Sequence, residues 1–254
     1  DGDRDLAIAN FNFSSTISIL KNNGDGTFAP KVDYSSGSFT NPVSVWAADL
    51  DADNDLDLAV ANNNSNTVSI LKNNGDGTFA AKVEFFAGRN PISVVASDVD
   101  GDNDLDLAIA NNNSSVISVL KNDGQGNFNE KLEFPTGNNP SSIFAADFDR
   151  DGDFDLAVAN NNSNTVAVLK NKGNGVYAAQ TEYKTAFSPR FVLAADLDKD
   201  KDADLAVVNA FSKSVSILKN NGDGTFAPKF DYPTGNNPNS IAMGDFDKDG
   251  YLDL

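Results

Sequence analysis

The 254-residue sequence contains no cysteine and no histidine. The first absence removes disulfides, thiolate metal sites and cysteine nucleophiles, though it does not settle the compartment. The second removes the commonest general base and the commonest transition-metal ligand. Glutamate is scarce: Glu84, Glu130, Glu133 and Glu182 are the only four among 37 acidic residues. No apolar run approaches the ~18 residues of a membrane-spanning helix. Positive charge is in deficit, with 19 Lys and Arg and a net charge of −18. That balance argues against nucleic acid and against anionic membrane surfaces as partners. The chain opens on Asp1 with neither Met nor a signal peptide, which reads as a mature piece or an excerpt. What remains is ordinary globular material, 40% hydrophobic and 22% charged, long enough for a sizeable core.

The acid that is present is concentrated. Of 33 aspartates, 27 lie in copies of one motif. The full copies are DLDADNDLDL from Asp49, DVDGDNDLDL from Asp98, DFDRDGDFDL from Asp147, DLDKDKDADL from Asp196 and DFDKDGYLDL from Asp245. They start 49 residues apart, and a partial copy with Asp1, Asp3 and Asp5 opens the chain. Self-similarity at this period indicates a propeller or a solenoid. The repeats run 41–89, 90–138, 139–187 and 188–236, with 237–254 plus 1–40 making up a fifth.

Each repeat reads as four strands. In 90–138 they are PISVVASD, LDLAIAN, VISVLKN and the more polar NEKLEFPTG, separated by the acidic loop, the NNSS turn and the glycine-bearing NDGQGNF hairpin. The fold class is therefore all-β, a β-propeller of four-stranded antiparallel blades in one domain. About five blades' worth of chain is present, either a closed five-bladed ring or an excerpt of a seven-bladed one. Small residues such as Ala47-Ala48 and Ala145-Ala146 end the first strand, which suits the crowded central axis.

Carboxylates on alternate residues of a tight loop converge on one point. Two of them ~4 Å apart repel by roughly 1 kcal/mol in water and about 4 kcal/mol at an effective dielectric of 20. A bridging cation removes that cost, and hard carboxylate oxygens suit Ca²⁺. In the third copy Asp147, Asp149, Asp151 and Asp155 offer side-chain oxygens and Asp153 its backbone carbonyl, with Gly152 at the sharp turn. An EF-hand is excluded, because its twelfth position must be Glu and here holds Val60, Ile109, Val158 or Val207. A Zn²⁺ or iron site lacks its His and Cys. Mg²⁺ prefers fewer protein ligands. A solvated Asp-rich turn without metal is the plain alternative.

The D-x-D-x-D-G-x-x-D-L loop, followed by LAVAN and NGDGTF, resembles the FG-GAP or VCBS repeats of integrin-like β-propellers. The resemblance covers essentially the whole chain. It implies a loop between the first and second strands of each blade, with Ca²⁺ held by residues one, three, five and nine and by the carbonyl of residue seven. Residue by residue this selects Asp49, Asp51, Asp53, Asp55 and Asp57, then Asp98, Asp100, Asp102, Asp104 and Asp106. It goes on to Asp147, Asp149, Asp151, Asp153 and Asp155, and to Asp196, Asp198, Asp200, Asp202 and Asp204. The last copy supplies Asp245, Asp247, Asp249, Tyr251 and Asp253. The sixth residue departs from glycine at Asn54, Asn103 and Lys201, and Lys tolerates positive φ poorly.

Other features carry plainer readings. The NGDGTF segments read as hairpin turns with an aromatic anchor. The Asn-rich turns at 62–66 and 160–164 read as polar loops satisfying their own backbone, with ligand reading as the alternative. Asn12 and Asn63 match glycosylation acceptors. Trp46 sits in an apolar strand and reads as core. Lys21, Lys72, Lys121, Lys170 and Lys219 follow each third strand and read as offsetting nearby acid or lining an edge.

The resulting expectation is a calcium-stabilised extracellular or cell-surface propeller with about five structural Ca²⁺, used for adhesion or recognition of a protein or glycan. It has no membrane insertion and no nucleic-acid partner, and it takes further repeats as neighbours if the chain is an excerpt. The alternatives are a lectin propeller or a calcium-dependent polysaccharide-acting enzyme. No catalytic residue and no organic cofactor are expected, and repeat symmetry argues against an enzyme. That symmetry is broken around the fourth repeat, at Ser188-Pro189-Arg190, Asn174-Gly175-Val176-Tyr177 and Lys201, which is where a catalytic site would be sought.

Overall fold

The computed structural model describes residues 2–11 and 14–254. Its regular structure is all β among those residues. The first sheet holds β1 (Leu6–Asn10), β2 (Thr16–Leu20) and β3 (Val32–Ser35). Four sheets of four strands follow. They are β4 (Pro42–Ala48), β5 (Asp57–Asn62), β6 (Thr67–Leu71) and β7 (Val83–Phe86), then β8 (Pro91–Ser97), β9 (Asp106–Asn111), β10 (Val116–Lys121) and β11 (Glu130–Pro135). Next come β12 (Pro140–Ala146), β13 (Asp155–Asn160), β14 (Thr165–Leu169) and β15 (Thr181–Lys184), and last β16 (Pro189–Ala195), β17 (Asp204–Asn209), β18 (Ser214–Leu218) and β19 (Phe230–Pro233). Every pairing is antiparallel between strands adjacent in sequence.

The burial pattern follows from the strand sequences. The second strands, such as DLAIAN at β9, are buried at every position because blades pack on both of their faces. The fourth strands are largely exposed, and β19 is exposed throughout. The first strands β4, β8, β12 and β16 contact one another in succession, which places them at the axis. Each first strand opens on a proline that needs no ladder donor, and each is bulged at its second residue.

The core lies between blades. Leu107 and Ile109 of one blade pack with Ala59, Ala61 and Ile70 of the blade before it. At each junction an aromatic from the hairpin meets an aromatic of the preceding outer strand edge-to-face. The pairs are Tyr34–Phe79, Phe85–Phe128, Phe134–Tyr177 and Tyr183–Phe226, with centroids 5.2–5.3 Å apart. Trp46 is half-buried and packs against two of the core clusters. Asn10, Asn62, Asn111 and Asn209, the last residues of their strands, donate from Nδ2 to Ser18, Ser69, Ser118 and Ser216 on the neighbouring strand at 2.7–2.8 Å.

At the chain's ends, β1 pairs with β2, and residues 237–254 form a single bridge, Gly244–Asp253. Ile241 packs on Leu193, Ala206, Val208 and Val215 of the last full blade.

Phe148 tests the inter-blade core. It is 1% exposed and meets Phe226 at 5.4 Å. Phe148→Ala should cost about 3–5 kcal/mol in urea unfolding. Phe39, 81% exposed, should cost under about 0.5 kcal/mol when made Ala. Equal costs would contradict the packing described.

Candidate metal centres

In the four full blades each acidic loop joins a first strand to a second strand, the last copy is closed by the Gly244–Asp253 bridge, and the backbone of each is shaped by two left-handed residues. The sixth residue has positive φ at Asn54, Asn103, Gly152, Lys201 and Gly250. The fourth residue does too, at Ala52, Gly101, Arg150, Lys199 and Lys248. Lys201 takes the same conformation as its counterparts, with φ 73°, despite the preference of lysine for other regions. The sequence offers little warning of the fourth position, where only one copy carries glycine.

This backbone curls around the first aspartate. Asp98 accepts amides from Gly101 at 2.8 Å and Asn103 at 3.0 Å. Asp147 accepts from Arg150 at 2.7 Å and Gly152 at 3.0 Å, and Asp49 from Asp53 and Asn54. Asp196 accepts from Lys201, and Asp245 from Asp249 and Gly250. The fifth residue ties the seventh: Asp53, Asp102, Asp151, Asp200 and Asp249 accept the amides of Asp55, Asp104, Asp153, Asp202 and Tyr251.

The ninth residue is buried and joins loop to hairpin. Asp106 Oδ2 accepts the amide of Val99 at 3.1 Å, and its Oδ1 accepts that of Asn122 at 2.8 Å. Asp57, Asp155 and Asp204 repeat the pattern through Asn73, Asn171 and Asn220. Asp253 accepts the amide of Phe246. The loop also grips the next blade. The second-residue carbonyls of Leu50, Val99 and Phe148 accept the side-chain amides of Asn122, Asn171 and Asn220 at 2.7–2.8 Å.

Within this frame carboxylate oxygens converge. The groups are Asp49, Asp51 and Asp53; Asp98, Asp100 and Asp106; Asp147, Asp149 and Asp155; Asp196, Asp198 and Asp200; and Asp245, Asp247 and Asp253, each with oxygens within 4.8 Å of one another. Oxygens on opposite sides of one Ca²⁺ stand about 4.6–5.2 Å apart, so such a set fits a single ion. The seventh-residue carboxylates stand outside these groups. Asp55, Asp104 and Asp202 instead crowd the hairpin glycines Gly75, Gly124 and Gly222, where a Cβ would meet their oxygens at 3.0, 2.6 and 3.1 Å. Asp1 lies outside the described residues. Asp5 of the partial copy accepts the amide of Asn22 at 2.8 Å, as the ninth residue does elsewhere.

The third residue is divided in its contacts. Asp51, Asp100 and Asp149 each give Oδ2 to a lysine, Lys72 at 3.0 Å, Lys121 at 3.0 Å and Lys170 at 3.1 Å. The other oxygen, Oδ1, is buried and has no hydrogen-bond partner. An anionic oxygen held in that state is costly unless a cation completes it. The donor set is all oxygen and all carboxylate or carbonyl, which fits a hard divalent ion. In the Asp196 loop the buried oxygens without a hydrogen-bond partner are Asp196 Oδ1 and Asp202 Oδ1, the second ion-paired with Arg150, while Asp198 pairs with Lys219 at 2.8 Å. These lysines were expected to offset acid, and they do.

Neighbouring loops also touch. Arg150 pairs with Asp202 at 2.5 Å. Lys199 lies 3.3 Å above the ring of Tyr251, so a cation–π contact replaces the ion pair where the seventh residue is aromatic.

Burial dominates the titration of the ninth residues. Desolvation pushes Asp106 and Asp155 up to about 7, opposed by their backbone hydrogen bonds. Asp57 and Asp204 move in the same direction for the same reason. In metal-free protein the folded state keeps protons that the unfolded chain has already released. That stabilisation is full below the unfolded value near 4 and is lost as pH rises through about 7. Metal-stripped protein should therefore melt at lower temperature at pH 7.5 than at pH 5, and the opposite order would refute this assignment of the buried aspartates.

The comparisons with known proteins agree with this architecture. The FG-GAP-like repeat matches residues 1–60, 49–109, 98–158, 147–207 and 196–254. No curated protein matches the chain in sequence. Virginiamycin B lyase from Staphylococcus aureus is similar in structure, with TM-score 0.64 and 16% identity over 94% of this chain and 70% of that one. A streptogramin B lyase aligns with TM-score 0.59 and 16% identity, over 87% of this chain and 62% of that one. A protein of unknown function from Desulfotomaculum acetoxidans aligns with TM-score 0.66 and 14% identity, over 91% and 67%. The two lyases correct the expectation that the chain is not an enzyme. That expectation rested on repeat symmetry and on missing His and Cys, yet this fold is one that enzymes use. Five successive repeat matches spanning the sequence establish that the chain belongs to the FG-GAP-like repeat family.

Proposed function

We propose that the protein is a calcium-stabilised extracellular propeller that serves as a recognition or adhesion module, with one structural Ca²⁺ per acidic loop. The observation that carries the metal is the divided carboxylate of Asp51, Asp100 and Asp149: one oxygen neutralised by lysine, the other buried and bare. Residues one, three, five and nine of each loop would hold the ion, with the carbonyl of residue seven. The ion supplies charge compensation and loop rigidity rather than reaction chemistry. Five divalent ions carry ten positive charges and bring −18 to −8.

Ca²⁺ is favoured over Mg²⁺ because each loop offers several carboxylates, more than Mg²⁺ accepts when it keeps its waters. The loop carbonyls of Leu50, Val99 and Phe148 anchor the next blade, so a rigid loop fixes blade order as well as local shape. Such a scaffold presents a constant rim to a protein or glycan at the cell surface, and its end blades offer faces for further repeats. FG-GAP-like repeats are typical of extracellular proteins, where millimolar Ca²⁺ fills even modest sites. No helix among the described residues is long and apolar enough to cross a membrane.

Thermal melting in calcium and after chelation tests the proposal. Each site with calcium at 100 times its dissociation constant adds about 2.7 kcal/mol. Asp100→Asn and Asp149→Asn should each remove part of the calcium-dependent rise while leaving the chelated melting temperature within a few degrees. A melting temperature indifferent to calcium would refute the metal. Cell-surface binding that is equal in calcium and in chelator would refute the coupling of metal to recognition.

A further inference from the structure

The rim opposite the acidic loops carries an axial pocket of about 480 Å³, within the range of small-molecule sites. It is lined by the bulged second residues of successive first strands. These are Val43, Ile92, Ser141 and Arg190, joined by Asn239 at the equivalent position of the final segment. Bulges re-aim side chains, and here they turn them toward the axis. The remaining lining is mostly serine and asparagine, including Asn112, Asn139 and Asn161.

Four of these five equivalent positions are neutral, and Arg190 is the one charged residue lining the pocket. Its Nη1 donates to Asn239 Oδ1 at 3.2 Å, and it pairs with no carboxylate among the described residues. Its backbone is held firmly. Asn161 Nδ2 donates to Ser188 Oγ at 2.9 Å and to Pro189 O at 3.1 Å, and Ser141 Oγ donates to Pro189 O at 2.9 Å. The next residue, Phe191, stands where Ser44, Ser93 and Ser142 accept the amides of Val94, Ile143 and Val192 from the following blade. In this repeat a serine that locks blades together has been exchanged for an aromatic wall.

A second departure from repeat symmetry sits on the same rim. Phe187 is 63% exposed and Phe211 80% exposed, at positions held by Asn138 and Asn162 one repeat earlier. The two segments are joined, since Phe187 N donates to Ser212 Oγ at 2.8 Å. Exposed rings on the rim that carries this polar pocket offer flat apolar faces.

We infer that this pocket binds a carboxylated sugar, with the guanidinium of Arg190 on the carboxylate, the Asn and Ser side chains on the hydroxyls, and Phe187 and Phe211 as rim platforms. A guanidinium fork matches a carboxylate bidentately. A single cation among neutral donors suits a monoanion better than a phosphate dianion. The acidic loops do not forbid an anion here. They lie at the far end of the first strand, six residues or about 20 Å away, about 2.5 Debye lengths at physiological salt. The inference rests on the recognition reading and names its ligand class.

The test is calorimetric titration of calcium-loaded protein with trigalacturonate and with sialyllactose, against galactotriose, lactose and inorganic phosphate. At least one acidic sugar should bind about tenfold or more tightly than its neutral counterpart. Arg190→Gln should erase that difference, while Lys184→Gln, on an outer strand, should keep it. Which acidic sugar responds tells a uronate from a sialate. No preference for acidic sugars, a preference that survives Arg190→Gln, or phosphate binding in place of sugar would each overturn the inference. Melting in calcium and chelator on the same samples separates the two proposals. Calcium stabilisation without sugar binding sinks this inference alone, and sugar binding without calcium stabilisation sinks the metal alone.

Discussion

Mutual repulsion among carboxylates is the constraint around which each blade is organised. Three carboxylates within 4.8 Å of one another recur at the inner end of every full blade. The chain does not disperse that charge. It wraps backbone amides around the first aspartate and sets a lysine against one oxygen of the third. It also buries the ninth, so that both its oxygens bind backbone amides. Left without a cation, the arrangement keeps like charges together at the places where blades meet.

The placement matters because the loops are part of the junctions. The carbonyl that follows the first aspartate holds the next blade's hairpin asparagine, and the hairpin brings the aromatic that fills the seam. Charge balance in the loop, blade-to-blade hydrogen bonding and core packing are therefore one connected device. The other rim follows a different logic. There, asparagines mostly satisfy turn backbones, as when Asn66 accepts the amide of Asn90 at 2.9 Å, and departures from the repeat are free to serve recognition.

Much of this was legible in the sequence. The 49-residue period, the four strands and the hairpin aromatic follow from apolar runs punctuated by Asn-Gly and Asp-Gly, whose local chemistry dictates turns. Grouping of the first, third and fifth or ninth aspartates also follows from alternation. Less legible were features set by tertiary contact. The positive φ of Ala52 and Arg150 has no local signature. Asn62, which opens a segment that reads as a polar loop, instead ends a buried second strand, and a serine on the adjacent strand accepts its amide hydrogen. Arg190 was visible as a break in symmetry, but its position beside the axis depends on a bulge that alternation alone does not reveal. The exclusion of enzymes failed for another reason: it was an argument about residue types applied to a fold that hosts many chemistries.

The most direct measurement is anomalous X-ray diffraction from crystals grown in calcium. The account predicts one anomalous peak in each full acidic loop, about 2.3–2.6 Å from the oxygens of residues one, three, five and nine. Well-ordered loops at Asp98–Asp106 and Asp147–Asp155 without such peaks, their bare oxygens met by water or lysine instead, would contradict it.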